Sequence, residues 1–170
     1  MNTNKRAWYL LYCKGKQELR AQMNLRNQGI DSFFPVLKQE KVVRKKRTVV
    51  ETALFPNYLF VSVDEEQDSF TSIRSTRGVL DFVRTKQHYS KVPCELLEAL
   101  QREQKAREGD VNIGTQFCVG DKVTIQDGAF QNISAVFKCA DGLERSVLLL
   151  NMLNKQSEVS IANDSFQKLN

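Results

Sequence analysis

From Asn57 to Ser62 the chain alternates as a strand does, with Leu59 and Val61 on one face and Tyr58, Phe60 and Ser62 on the other. Pro56 cannot donate to a ladder, so the chain is expected to enter this strand there, at an edge or a bulge. One face can fill a core, yet the second is still aromatic and large. A strand buried between two layers has the same pattern. The other reading is an aromatic face kept for a protein partner.

The pattern on either side predicts a series of short elements. Trp8-Tyr9-Leu10-Leu11-Tyr12 suits a buried strand, and Lys14-Gly15-Lys16 breaks it. Residues 17–28 hold good helix formers, with Leu19 and Met23 on one face and Gly29 placed to end the helix. Ile30 to Val36 reads as a strand closed by Pro35. Val42, Val43, Val49 and Val50 flank Arg44-Lys45-Lys46-Arg47 as a hairpin with a basic tip. The polar, acidic stretch Asp64 to Ser72 starts a second helix, and Arg77-Gly78 turns the chain into a final strand, Val79 to Val83. Val92-Pro93 introduces a third helix carrying Leu96, Leu97 and Leu100. This order predicts an α+β fold, helices packed against a mostly antiparallel sheet. Residues 101–115 are charged, poor in apolar positions and contain Gly109 and Gly114, a linker composition. The expected division is therefore a domain over 1–104, a linker over 105–115 and a second domain over 116–170.

That second domain carries two patterns at once. Gly120-Asp121, Asp127-Gly128 and Asp141-Gly142 punctuate β-friendly runs such as Lys122-Val123-Thr124-Ile125, as in a small barrel of hairpins. Phe130, Ile133 and Phe137 nevertheless recur at helical spacing, and Val147, Leu149, Leu150, Met152 and Leu153 can line a broad helix face. Periodicity does not choose between them. A segment of this size is marginal by itself, so contacts with a neighbour can decide.

Charge adds a direction. Residues 1–100 hold 17 Lys+Arg against 11 Asp+Glu, whereas residues 101–170 hold 8 against 9, so a polyanion would bind the first part. Candidate catalytic chemistry is sparse. His88 is the single histidine, which argues against histidine triads and multi-histidine metal sites. Cys13, Cys94, Cys118 and Cys139 are widely spaced, as expected of reduced thiols rather than of disulfides or a zinc site. Gly15-Lys16 lacks the upstream glycine of a P-loop, and Glu65 and Glu66 sit in a polar stretch. A non-enzymatic protein without cofactor or metal is expected. No apolar run approaches a membrane span and no signal-peptide core is evident, so the expectation is a cytoplasmic, monomeric protein without membrane contact.

Several segments together resemble the NusG family of transcription elongation factors. They are Trp8-Tyr9, Phe55-Pro56-Asn57-Tyr58-Leu59-Phe60-Val61 and Thr76-Arg77-Gly78-Val79, then the KOW-like Gly120-Asp121-Lys122-Val123, Gly128-Ala129-Phe130 and Ala135-Val136-Phe137. Lys46-Arg47-Thr48 and Leu148-Leu149-Leu150-Asn151, near Asn154-Lys155, are most similar to the operon-specific antiterminator branch of that family. The resemblance implies an N-terminal domain that binds RNA polymerase clamp helices. It also implies a C-terminal KOW-like domain, an α-hairpin when closed over that surface and a five-stranded β-barrel when open. The open barrel would recruit a small-subunit ribosomal protein, coupling transcription to translation. The alternatives are a general elongation factor with a constitutively open barrel and, from another class, a ribosome-associated RNA-binding KOW protein.

By position, the resemblance implies a polymerase seat at Leu54, Tyr58, Phe60 and Phe82. It implies a second polymerase contact at Ser69, Phe70 and Thr71, where Phe70 stands in place of a polar or histidine residue. Single-stranded non-template DNA would be read by Lys14, Gln17, Arg20, Asn24, Asn27, Gln28, Arg74, Thr76 and Arg77, since Arg, Asn and Gln read base edges while Lys anchors phosphate. Lys41, Arg44, Lys45, Lys46 and Arg47 would add sequence-independent phosphate contacts. Phe130, Val136, Phe137, Leu149 and Leu153 would cover the seat. Arg145 would latch the domains, with Thr52 at the partner position and Glu51 adjoining it. Such a pair contributes little if exposed, so Arg145→Ala is expected to raise the open fraction only modestly.

Overall fold

The computed structural model describes residues 5–108 and 133–167. Its centre is an antiparallel sheet built on β1 (Arg6–Cys13) and β5 (Tyr58–Asp64), paired from Arg6 opposite Asp64 to Tyr12 opposite Tyr58. β2 (Ser32–Phe33) extends the sheet beyond β5; β6 (Val79–Phe82) and β9 (Lys91–Val92) both pair with β1. Beside it stand two separate two-stranded ladders. One is the ribbon of β3 (Val36–Val43) and β4 (Lys46–Ala53), the other the short hairpin of β7 (Arg84–Thr85) and β8 (His88–Tyr89).

The alternation along β1 and β5 splits the apolar residues into two cores. On one face Tyr9, Leu11, Cys13, Leu59, Val61 and Val63 meet Ala21 and Leu25 of α1 (Glu18–Asn27) and Ile73 of α2 (Phe70–Arg74). On the other face Leu10 and Phe60 meet Leu96, Leu97 and Leu100 of α3 (Cys94–Glu108), together with two tail helices. These are α4 (Ile133–Lys138) and α5 (Gly142–Gln167), and they contribute Ile133, Val136, Phe137, Leu149, Met152 and Leu153. No helix among the described residues is long and apolar enough to cross a membrane.

Leu19 and Met23 share one face of α1, and that face is about two-thirds exposed, while Glu18, Ala21 and Leu25 turn inward. A Cβ on Gly78 would lie 2.9 Å from the Gln17 carbonyl oxygen and 3.1 Å from the Ala21 methyl, so the loop approaches α1 where a small side chain faces it. Several expectations need correction. The strand expected over Ile30 to Val36 shrinks to Ser32–Phe33, and Val36 already belongs to the ribbon. Val79–Phe82 is not the final strand, since β7, β8 and β9 follow it. α3 runs on to Glu108, so residues 105–108 are helical; 109–115 lie outside the described residues.

In the tail the helical period prevails over 133–167, and Asp141-Gly142 begins a helix rather than turning a β-hairpin. The Asp141 carboxylate accepts the Leu143 N–H at 2.9 Å, the bond of an N-terminal cap. The KOW-like segments 120–123 and 128–130, Phe130 included, lie outside the described residues.

Leu25 anchors α1, so Leu25→Ala should lower unfolding stability by about 2–5 kcal/mol. Leu19→Ala, on the exposed face, should stay within about 0.5 kcal/mol. Urea denaturation midpoints of the two variants distinguish the buried face of α1 from the exposed one.

Candidate functional site

Sheet alternation determines which expected residues meet. Leu54 and Phe60 are fully buried and Tyr58 is half-buried in the cluster that also holds Val136, Phe137, Leu149 and Leu153. Ile133 and Met152, not singled out as contacts from the sequence, belong to the same cluster. Phe82 does not. It pairs with Leu11 across β6 and β1, and so shares Leu11's face, on the far side of the sheet from Phe60. The residue of that segment packed against the Tyr58 side is Val83.

Arg145 is 3% exposed and, among the described residues, binds carbonyls rather than a carboxylate. Its Nε donates to the Leu54 carbonyl at 2.7 Å, Nη2 to the Ala53 carbonyl at 3.2 Å and Nη1 to the Cys139 carbonyl at 2.8 Å. Burial lowers its pKa, and the neighbouring Cys139 and Asp141 oppose that shift. The expected partners are engaged elsewhere: the Thr52 hydroxyl donates to the Leu37 carbonyl, and exposed Glu51 lies 3.8 Å from Lys38. The backbone explains the change. The β3–β4 pairing ends at Val36 and Ala53, and the Leu54 N–H turns to the Pro35 carbonyl, which leaves the outer carbonyls facing the tail. One further contact adjoins the guanidinium: a Cβ on Gly142 would lie 2.7 Å from Pro56 Cγ.

The basic ribbon forms as expected. Its turn is Arg44-Lys45, both at positive φ (51° and 65°), the type I′ geometry whose twist suits a two-residue hairpin. Residues 41–49 are all exposed, so Lys41, Arg44, Lys45, Lys46 and Arg47 surround a free tip.

The second basic surface divides into exposed and internally bonded residues. Lys14, Arg20, Asn27, Arg74 and Arg77 are exposed and Gln17 is half-buried. Asn24 donates to the Arg77 carbonyl at 3.2 Å, and Gln28 donates to the Thr76 hydroxyl at 2.9 Å. Thr76 is buried and itself donates to the Ser72 carbonyl at 3.0 Å. These three side chains join α1 to the 74–78 loop as one surface rather than extending from it.

Ser69 caps α2, accepting from the Ser72 N–H at 3.2 Å. The Phe70 ring lies against Tyr9, Phe82 and Tyr89 at centroid distances of 5.3, 5.3 and 5.4 Å, so it serves an internal aromatic cluster. Thr71 is exposed. Beside this cluster an open cleft of about 390 Å³ is lined by Tyr9, Glu65, Phe70, His88, Tyr89 and Lys91. Three of its polar side chains are paired with one another. Lys91 lies 2.8 Å from Glu65 and the Tyr9 hydroxyl donates to the same carboxylate, which holds Glu65 below the usual carboxylate range, chiefly through Lys91. Burial, reinforced by Glu65, raises the Tyr9 phenol. Among the described residues no cluster of His, Cys, Asp and Glu is placed to hold a metal ion.

A family model described as "Transcription termination factor nusG" matches residues 6–101. The chain is similar to the "Transcription termination/antitermination protein NusG" of Streptomyces coelicolor, 26% identical over 189 residues, covering 95% of this chain and 62% of that protein. It is similar to the Bacillus subtilis protein of the same description, 26% identical over 177 residues, covering 95% and 98%. The Chlamydia trachomatis protein of that description is 26% identical over 138 residues, covering 76% and 75%. The chain thus spans about three fifths of the Streptomyces coelicolor relative it matches and nearly all of the Bacillus one. A solved structure described as "Domain interaction in Thermotoga maritima NusG" aligns with a TM-score of 0.41 at 20% identity, covering 69% of this chain and 70% of that one.

Gly78 has φ +98°, and a Cβ on it would lie 2.9–3.1 Å from Gln17 and Ala21, so Gly78→Ala combines a left-handed backbone with a backbone clash. The conformation alone costs about 1–2 kcal/mol, and the clash adds to it. Chemical denaturation should show that loss, and α1 amides near Ala21 should shift most in the NMR spectrum.

Proposed function

This chain belongs to the NusG family, and on that premise we propose that it is an operon-specific antitermination and elongation factor of the RfaH type, with a tail that masks its polymerase-binding surface. One observation carries the reading: Leu54, Tyr58 and Phe60 lie beneath the helices that supply Val136, Phe137, Leu149 and Leu153. In the open protein the first three receive the clamp helices of RNA polymerase, and in the closed one the tail occupies their place. Apolar burial, about 1.5–3 kcal/mol for each fully buried Leu or Phe, supplies affinity in both states, so the two occupants compete.

The tail's outer face supports a second conformation. Leu143 is 74% exposed and Val147 55% exposed, an apolar pair one helical turn apart with no core to enter. A released β-barrel, the alternative pattern of this segment, gives such residues an interior and presents a surface to a small-subunit ribosomal protein. Two packings separated by a few kcal/mol suffice for such a switch.

Lys14, Gln17, Arg20, Asn27, Arg74 and Arg77 are the side chains proposed to meet single-stranded non-template DNA, and the ribbon tip contacts phosphate without regard to sequence. A general elongation factor is the second reading. The internal bonding of Asn24, Gln28 and Thr76 favours it, because fewer side chains remain to read bases. Dependence of polymerase binding on one DNA element separates the two.

Arg145 tests the masking directly. Its three carbonyl bonds and its burial replace the modest effect expected from the sequence with a large one. Arg145→Ala should raise the open-to-closed ratio at least about tenfold, since a charge-assisted hydrogen bond contributes about 1.5–3 kcal/mol. Tail amide shifts and polymerase affinity of the full chain should move together. Unchanged tail amides would remove Arg145 from the latch, and polymerase affinity indifferent to tail opening would overturn the masking.

A further inference from the structure

Glu18 is a buried carboxylate, 8% exposed, that the proposed polymerase and DNA contacts do not use. It opens α1, where the helix N-terminus favours a negative charge, and its Oε1 accepts the Asn57 N–H at 2.9 Å. Asn57 has φ +73°, a left-handed conformation that asparagine adopts more readily than other non-glycine residues, and the Glu18 bond holds its N–H there. Pro56 followed by a left-handed Asn57 is the residue order of a type II turn, and the Tyr58 N–H closes it onto the Phe55 carbonyl at 3.1 Å. The Asn57 carbonyl in turn accepts from the Cys13 N–H. Burial, then the Glu18 carboxylate, pushes the Cys13 thiol up to about 12, which places the charge in the same interior.

The same turn faces the tail on its other side. Pro56 abuts Gly142, and Arg145 binds the Leu54 and Ala53 carbonyls. Residues 53–57 are thus held from one side by the Glu18 carboxylate, the Cys13 N–H and the Pro35 carbonyl, and from the other by the first turn of α5.

We propose that Glu18 is a positioning residue for tail closure: by fixing the left-handed Asn57 it holds Pro56 and the Leu54 carbonyl in the arrangement that Gly142 and Arg145 close upon. This rests on the masking reading. Glu18 touches no tail residue among its hydrogen-bond partners, so its effect on closure is indirect, and closure reciprocally stabilises the turn.

The test uses the full-length chain and three variants. Glu18→Leu fills the space without an acceptor, Glu18→Gln keeps an acceptor at the same reach, and Arg145→Ala is the positive control. Two quantities are read by NMR: hydrogen exchange at the Asn57 amide relative to Leu10 and Phe60, and the open fraction from tail amides of residues 133–153. In Glu18→Leu the Asn57 amide should exchange at least about tenfold faster while Leu10 and Phe60 hold, as expected for a lost charge-assisted bond. The open fraction should rise at least about threefold, a part of that same bond's contribution. Glu18→Gln should restore both. A loosened Asn57 with a closed tail, while Arg145→Ala opens it, overturns the inference and leaves the masking intact. A tail that stays closed in Arg145→Ala as well overturns both. If Glu18→Leu loses protection at Leu10 and Phe60 too, Glu18→Ala takes its place under the same criteria.

Discussion

A sheet that is apolar on both faces must be covered on both, and this constraint organises the whole molecule. β1 and β5 alternate Tyr9, Leu11, Leu59 and Val61 with Leu10 and Phe60, so neither face can be left to water. Local chain supplies one cover, with α1 and α2 entering and leaving the strands they protect. The other cover is assembled from α3 and from tail helices many residues away in sequence. The first cover is continuous in sequence with the strands it protects; the second includes a part that is attached through side chains and two carbonyl groups.

The way that part is attached has consequences of its own. An exposed ion pair is weakened by salt and contributes little, whereas a guanidinium buried on three carbonyls is screened far less. Arg145 also enforces register, because its fork must meet Ala53 and Leu54 together while Gly142 clears Pro56. Apolar contacts alone would tolerate sliding. Geometry of this kind makes the attachment specific without a complementary charge on the ribbon.

The basic surfaces follow a similar division between holding and reaching. Asn24, Gln28 and Thr76 join α1 to the 74–78 loop, and Gly78 allows the two backbones to touch. That rigid base presents Arg20, Arg74 and Arg77 outward. The ribbon presents its cations differently, at the exposed end of a separate two-stranded ladder. A rigid, polar surface suits recognition by shape and hydrogen bonding; an extended cationic tip suits phosphate.

By itself the sequence determined the features that depend on neighbours in the chain. Strand alternation at Tyr58 to Ser62, the ribbon with its basic tip, the helix after Pro93 and the turn at Arg77-Gly78 all follow from local sterics and periodicity. What depended on partners brought from afar was decided only in three dimensions. Leu19 and Met23 face solvent because Ala21 and Leu25 pack against the sheet; Phe82 leaves the expected seat because its register with Leu11 assigns its face. The tail, balanced between two periods, is helical over 133–167 where a ready apolar surface receives it. Arg145 found carbonyls rather than a carboxylate because the end of a ladder, which no residue pattern encodes, exposed them.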